Sequence, residues 1–168
     1  MRINIFIFLC TLMLLVVGCQ PVTITGNIKK GNVFQAKVPF HWKSGKVEDT
    51  VYYFYSPRGA LSVGVFYEST PELMDCRMTK FKDLYCAKYG SEGKKLFIKK
   101  YSVEKWSGSI ISFFEPSETI EIWLLQNGNY GLVMVSQYEK KNIKQTEDVI
   151  KFVKSLKIIG LSNESFIK

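Results

Sequence analysis

Apolar residues fall in short blocks along this chain, and their spacing separates strands from helices. Asn32 to Pro39 is a first strand candidate. After a loop around Ser44-Gly45, Thr50 to Ser56 and Ala60 to Ser69 follow, joined by the turn-like Ser56-Pro57-Arg58-Gly59. Ser69-Thr70-Pro71-Glu72 signals a helix start, with Thr70 as N-cap and Pro71 at the first helical position. Met74, Met78, Phe81 and Tyr85 then share one helical stripe until Gly90 ends it. Beyond Gly93 the pattern predicts four strands: Lys94 to Trp106, Ser109 to Glu115, Glu118 to Gln126 and Tyr130 to Glu139. Ser107-Gly108 and Asn127-Gly128 are hairpin signals, the second the stronger because a type I′ turn wants positive φ at both central residues, and Glu115-Pro116-Ser117 supplies the remaining turn. A last helix is expected over Thr146 to Ile158, with Val149, Ile150, Phe152, Val153 and Leu156 on one face. Glu147 and Asp148 in its first turn and Lys154 and Lys157 in its last complement the helix dipole.

Ile110-Ile111-Ser112-Phe113-Phe114, Ile122-Trp123-Leu124-Leu125 and Leu132-Val133-Met134-Val135 are apolar at successive positions. Both faces of such a sheet want cover, and two helices provide it. The expected fold is therefore α+β: an antiparallel sheet of about six to seven strands flanked by two helices, in the order βββ-α-ββββ-α. Three segments carry a resemblance to the PsbP-like alpha/beta/alpha sandwich, also found in DcrB-type bacterial lipoproteins. They are Val38-Pro39-Phe40-His41-Trp42, the Tyr55-Ser56-Pro57 to Val65 hairpin, and Val149 to Lys157. The resemblance implies a fold used for binding and assembly beside membranes; it carries no catalytic motif and no ligand residues.

The N-terminus has a different character. Arg2 precedes an apolar run from Ile5 to Val17, broken only by Cys10 and Thr11, and Gln20-Pro21 ends it abruptly. About 13 residues at 1.5 Å rise cover ~20 Å, short of the ~30 Å hydrocarbon core, so a cleaved signal fits better than a spanning helix. Val16-Val17-Gly18-Cys19 resembles the lipobox of bacterial lipoproteins. That resemblance implies lipid transfer to the Cys19 thiol, cleavage before Cys19 and acylation of the new terminus. The chain then divides into a signal peptide (1–18), a lipidated terminus and tether (19–31), a single globular domain (32–160) and a short tail (161–168). Gln20 after the cysteine resembles the outer-membrane sorting pattern: the periplasmic face of the outer membrane where two membranes exist, the outer face of the cytoplasmic membrane where there is one.

Loss of Arg2 with the signal leaves 22 basic against 15 acidic residues, a mature charge of about +7. Such a balance favours anionic lipid headgroups or wall polymers over nucleic acid, which an exported protein rarely meets. The lysines (Lys29-Lys30, Lys94-Lys95, Lys99-Lys100, Lys140-Lys141, Lys144 to Lys157) are scattered over several segments, as in a solvated surface. Cys76 and Cys86 remain in an oxidising compartment, where a disulfide is favoured. One continuous helix would hold them ~15 Å apart, against the roughly 7 Å between Cα atoms that a bond allows. Either the helix breaks between Asp75 and Thr79, or the thiols stay free or pair elsewhere.

Catalytic groups are scarce. His41 is the sole histidine, and with no close Cys pair and no Asp-rich loop the sequence offers no nucleophilic triad, no metal site and no cofactor motif. Glu115, Glu118 and Glu121 flank a hairpin turn, where carboxylates are normally solvated. Tyr52-Tyr53-Phe54-Tyr55 with Phe66 and Tyr67 is the densest aromatic cluster. Alternation sends Tyr53 and Tyr55 to one face and Tyr52 and Phe54 to the other, mainly for core packing, with Trp42 and Tyr52 the first positions for a partly exposed binding platform. The expected protein is not an enzyme but an envelope module, held to the membrane through Cys19, that binds a protein partner or helps assemble an envelope complex. The alternatives are a binder of a small molecule or anionic polymer, and a periplasmic immunity protein.

Overall fold

In a computed structural model the described residues are 22–27, 33–39, 42–48, 51–56, 59–90, 95–139 and 143–159. The protein is α+β. The described strands are β1 (Val22–Asn27), β2 (Val33–Val38), β3 (Lys43–Glu48), β4 (Val51–Ser56) and β5 (Gly59–Tyr67), then β6 (Lys95–Val103), β7 (Trp106–Phe114), β8 (Glu118–Asn127), β9 (Tyr130–Glu139) and β10 (Lys157–Ile159). Helix α1 (Pro71–Tyr89) follows β5, and α2 (Ile143–Ser155) lies between β9 and β10. They form two antiparallel sheets, one ordered β3-β4-β5-β9-β8-β7-β6 and a smaller one ordered β1-β2-β10.

The local signals around α1 hold. Thr70 is extended and its Oγ1 accepts from the Leu73 N–H at 3.3 Å, while the Gly90 N–H closes the last turn on the Cys86 carbonyl at 2.8 Å. Several boundaries differ from expectation. Residues 22–27, expected in the tether, pair along their full length with β2, and residues 43–48, expected as a loop, pair with β4. The second helix runs from Ile143 and stops at Ser155, because Lys157 to Ile159 leaves it to pair with β2. Ser107-Gly108 lies inside β7, and Glu104-Lys105 makes the turn with a positive φ of 53° at Glu104. The β8–β9 loop is Gly128-Asn129, with positive φ (56°) at Gly128 and not at Asn129, as in a turn with glycine at its first central position rather than type I′.

Paired residues share a face, so the large sheet can be read row by row. One face presents Ile111, Phe113, Ile120, Ile122, Leu124 and Val133 to Met78, Phe81, Tyr85 and Tyr89 of α1. The other carries Leu61, Val63, Trp123, Leu125, Leu132 and Met134, packed with Phe34, Ala36 and Val38 of β2 and Val149, Phe152 and Val153 of α2. Both faces are therefore covered, as the doubly apolar strands demand. The end of α2 is pinned to the small sheet: the Lys37 N–H donates to Ser155 Oγ at 2.8 Å, and that hydroxyl donates to the Phe152 carbonyl at 2.8 Å.

The two edges of the large sheet are unlike. Between Ser44 and Val47 the β3–β4 register shifts, a bulge of the kind that blunts an edge. At the other end β6 pairs with β7 over nine residues in unbroken register.

Candidate functional site

Helix α1 places Phe81, Tyr85 and Tyr89 four residues apart, hence on one stripe over the sheet. Phe66 of β5 extends the stripe at one end, its ring 5.5 Å from Phe81, and Phe113 of β7 extends it at the other, 5.9 Å from Tyr89. Between them Phe81–Tyr85 and Tyr85–Tyr89 stack at 6.4 and 6.2 Å with interplanar angles of 22° and 11°. Phe66 reaches this position because its cross-strand neighbour is Gly131: a Cβ there would lie 2.1 Å from the ring.

Beside this aromatic row the sheet floor opens. Val51, Gly64 and Val133 are cross-strand neighbours on β4, β5 and β9, and a Cβ on Gly64 would meet nothing closer than 3.9 Å. The missing side chain leaves a notch of about 100 Å³, floored by Gly64 and Ser62 and walled by Phe66, Phe81 and Tyr85, with Arg77 at its rim. The Arg77 guanidinium lies 4.3 Å from the Phe66 ring centre and 5.8 Å from that of Phe81, and it pairs with Glu68. With the arginine side chain 43% exposed, this pair contributes ~0–1 kcal/mol and serves mainly to orient the guanidinium. Burial raises the Tyr85 phenol above its ordinary pKa of 10.0, as do the neighbouring Tyr89 and Tyr53, so Tyr85 stays a neutral hydrogen-bond donor in the notch wall. A strand-interior glycine was the sequence signal for this feature.

A second polar feature lies on the opposite face, under the first turn of α2. Glu121 aligns with Ser112 and Ser136 across three strands, and all three are buried. The expectation that this glutamate is solvated is overturned: it sits inside β8 on the face that α2 covers. Trp123 Nε1 donates to its carboxyl at 3.3 Å, and the Tyr138 and Thr146 hydroxyls also bond it. Ser136 Oγ, cross-strand from Glu121, and Gln145 Nε2 of α2 are buried without a hydrogen-bond partner among the described residues. Burial pushes the Glu121 pKa above its ordinary 4.5, and the three hydrogen bonds pull it only part of the way back. Tyr138 is pushed up to about 12 by burial, partly offset by its Thr146 hydrogen bond, with the Glu121 charge adding to the rise.

A raised carboxyl pKa means that the folded state disfavours the ionised form. The cost is absent below the unfolded value and full once pH exceeds the folded one. Glu121→Gln should therefore melt at a higher temperature than the parent at pH 8, with the gap closing towards pH 4. Thermal melts across that range decide it, and a gap independent of pH would show that charge is not the cause.

The residues singled out in the sequence end in different places. Cys19, Val16 to Gly18 and His41 lie outside the described residues. Trp42 is no platform: it is 6% exposed and packs between the sheets, its ring 6.4 Å from Phe54. Tyr52 is half-buried on the same face, edge-on to Phe34 at 5.1 Å. The expected Cys76–Cys86 disulfide is also corrected: both thiols are free on an unbroken α1, ~15 Å apart along its axis, and the break between Asp75 and Thr79 does not occur. Among the described residues no group of three His, Cys, Asp or Glu side chains is placed to hold a metal ion, and no helix is long and apolar enough to cross a membrane.

No family model and no curated protein matches the chain. Among solved structures, a crystal structure of a protein from Bacteroides thetaiotaomicron VPI-5482 is similar, with a TM-score of 0.54 and 14% sequence identity. The match covers 76% of this chain and 46% of that one, so this chain spans less than half of that protein's length. At this identity the likeness concerns the fold alone, and the notch and the Glu121 cluster rest on this chain's own geometry.

Proposed function

We propose that this protein is a non-enzymatic envelope lipoprotein, anchored through Cys19, that binds a protein partner by taking one apolar side chain of that partner into the notch beneath α1. The notch carries this reading. Its size is the argument: sites for small molecules are typically ~300–1,000 Å³, and an apolar cavity of ~150 Å³ admits a molecule as small as benzene. At about 100 Å³ the notch is smaller than a benzene-sized cavity and suits a single aliphatic side chain. Its walls are the aromatic and arginine residues that anchor protein contacts, and the Glu68-held guanidinium at the rim offers hydrogen bonds to a backbone carbonyl. The wider depressions, about 510 Å³ along the β6–β7 hairpin and about 300 Å³ around Gly59 and Tyr138, are open to solvent and favour no enclosed ligand.

Two measurements test the two halves of the reading. Palmitate labelling should mark the parent and not Cys19→Ser, which should fractionate away from membranes; equal labelling overturns the anchor. A photocrosslinking residue at Ser62, on the notch floor, should capture one discrete protein in cells. The same residue at Tyr55 of β4, exposed on the same face of the large sheet but outside the notch lining, should not; equal capture from both sites overturns the notch.

A further inference from the structure

We infer that the β6 edge docks on an anionic lipid surface, dipping Leu96, Phe97 and Ile98 into the interface while flanking lysines hold the headgroups. These three side chains are 47%, 56% and 45% exposed, and Phe114 of the adjoining strand is 39% exposed. Four of the large exposed apolar residues thus gather at one corner of the sheet. In sequence the strand is flanked by basic residues, Lys94-Lys95-Leu96-Phe97-Ile98-Lys99-Lys100, and Lys99 and Lys100 are both exposed on β6. An apolar centre between basic ends is the composition of interfacial anchors, whose stems bury while their charges stay at the headgroups.

Geometry separates a lipid surface from a partner strand. Leu96 and Ile98 point to one face of the sheet with Lys100, and Phe97 points to the other with Lys99, because their β7 partners alternate in the same way. A strand added to β6 would pair its backbone but leave apolar side chains exposed on both faces. A bilayer met edge-on takes all three at once and finds a cation on each side. A shelf of about 510 Å³ adjoins this edge, where Lys100 stands with the hydroxyl side chains Ser102, Ser107 and Ser109. That set suits a phosphate and glycerol headgroup.

This inference uses the proposed lipid anchor only as the reason the edge meets a membrane, and it does not use the notch. Its test reads β6 alone, whereas palmitate labelling and the Ser62 crosslink read the anchor and the notch. Trp42, Trp106 and Trp123 are 6%, 2% and 0% exposed, so Phe97→Trp adds an accessible indole to a shielded background. The full chain carrying Phe97→Trp, reconstituted in vesicles of phosphatidylglycerol and phosphatidylcholine, should show blue-shifted emission that brominated acyl chains quench. Adding Lys99→Ala and Lys100→Ala should weaken docking about 30-fold, which corresponds to ~1 kcal/mol per basic side chain at an anionic surface. Emission unaffected by bromination overturns the inference, and equal quenching in pure phosphatidylcholine overturns its anionic component. A concentration-dependent blue shift in detergent without lipid would assign the edge to a second copy, and amide protection of residues 96–100 that needs an added protein would assign it to strand addition; either result also overturns it.

Discussion

Gly64→Val should leave the fold intact and weaken partner binding at least about 30-fold, the ~2 kcal/mol expected when a central anchor loses its pocket. Gly64 is flanked in register by Val51 and Val133, and a Cβ at this position has open space to 3.9 Å. A Cβ there touches the Val133 carbonyl only at ordinary contact distance, and valine is favoured over glycine in a strand by up to ~1 kcal/mol. Its methyl groups fill the notch floor between Phe66, Phe81 and Tyr85. The combination is diagnostic: an unchanged or slightly raised Tm together with loss of the Ser62 crosslink. A crosslink that persists at parental yield would remove the notch from partner binding.

Phe152→Ala should have the largest effect on stability, a loss of about 3–5 kcal/mol and hence of ~10 °C or more in Tm. Phe152 is 1% exposed, lies 6.1 Å from Phe54 of the large sheet, and shares a cluster with Phe34, Ala36 and Val38 of the small one. Its carbonyl also takes the Ser155 hydroxyl that receives the Lys37 N–H. Truncation thus opens a cavity where α2 and both sheets meet. Urea unfolding would measure the loss, and hydrogen exchange should show β2 losing protection before β8. A cost under about 1 kcal/mol would mean that α2 contributes little to the core.

What could be read from the sequence was what local chemistry determines. Thr70, Pro71 and Gly90 bracket α1 because capping groups act within one turn. Ile122-Trp123-Leu124-Leu125 and Leu132-Val133-Met134-Val135 announce a sheet covered on both faces because neither face of those strands is polar. The short strands were opaque for the opposite reason. Val22-Thr23-Ile24-Thr25 alternates for only four residues before Gly26, Lys43-Ser44-Gly45-Lys46 carries no large apolar residue to show a period, and Lys157-Ile158-Ile159 continues the apolar stripe of α2. Their pairing is decided by partners distant in sequence.

The candidate sites were legible only in part. The notch exists because a side chain is missing at Gly64 and a helix stands over the gap, and neither fact is local. Glu121 looked like a turn residue, yet period-two alternation with Thr119 and Trp123 turns it inward, and only the placement of α2 shows that this face is covered. Trp42 is buried by packing between the two sheets, whereas Tyr52, in the dense aromatic stretch, stays half-buried against the same core.

The small sheet gathers both ends of the described fold onto one strand, with β1 on one side of β2 and β10 on the other. A protein tethered through its N-terminus feels every tug at β1 first. Six residues of β1 in register with β2 must yield before that load reaches the large sheet, and β10 with the Ser155 clasp braces β2 from behind. With the proposed Cys19 anchor, the β1–β2 ladder would act as a strain relief between anchor and domain. The notch and the β6 edge, both built on the large sheet, lie downstream of it.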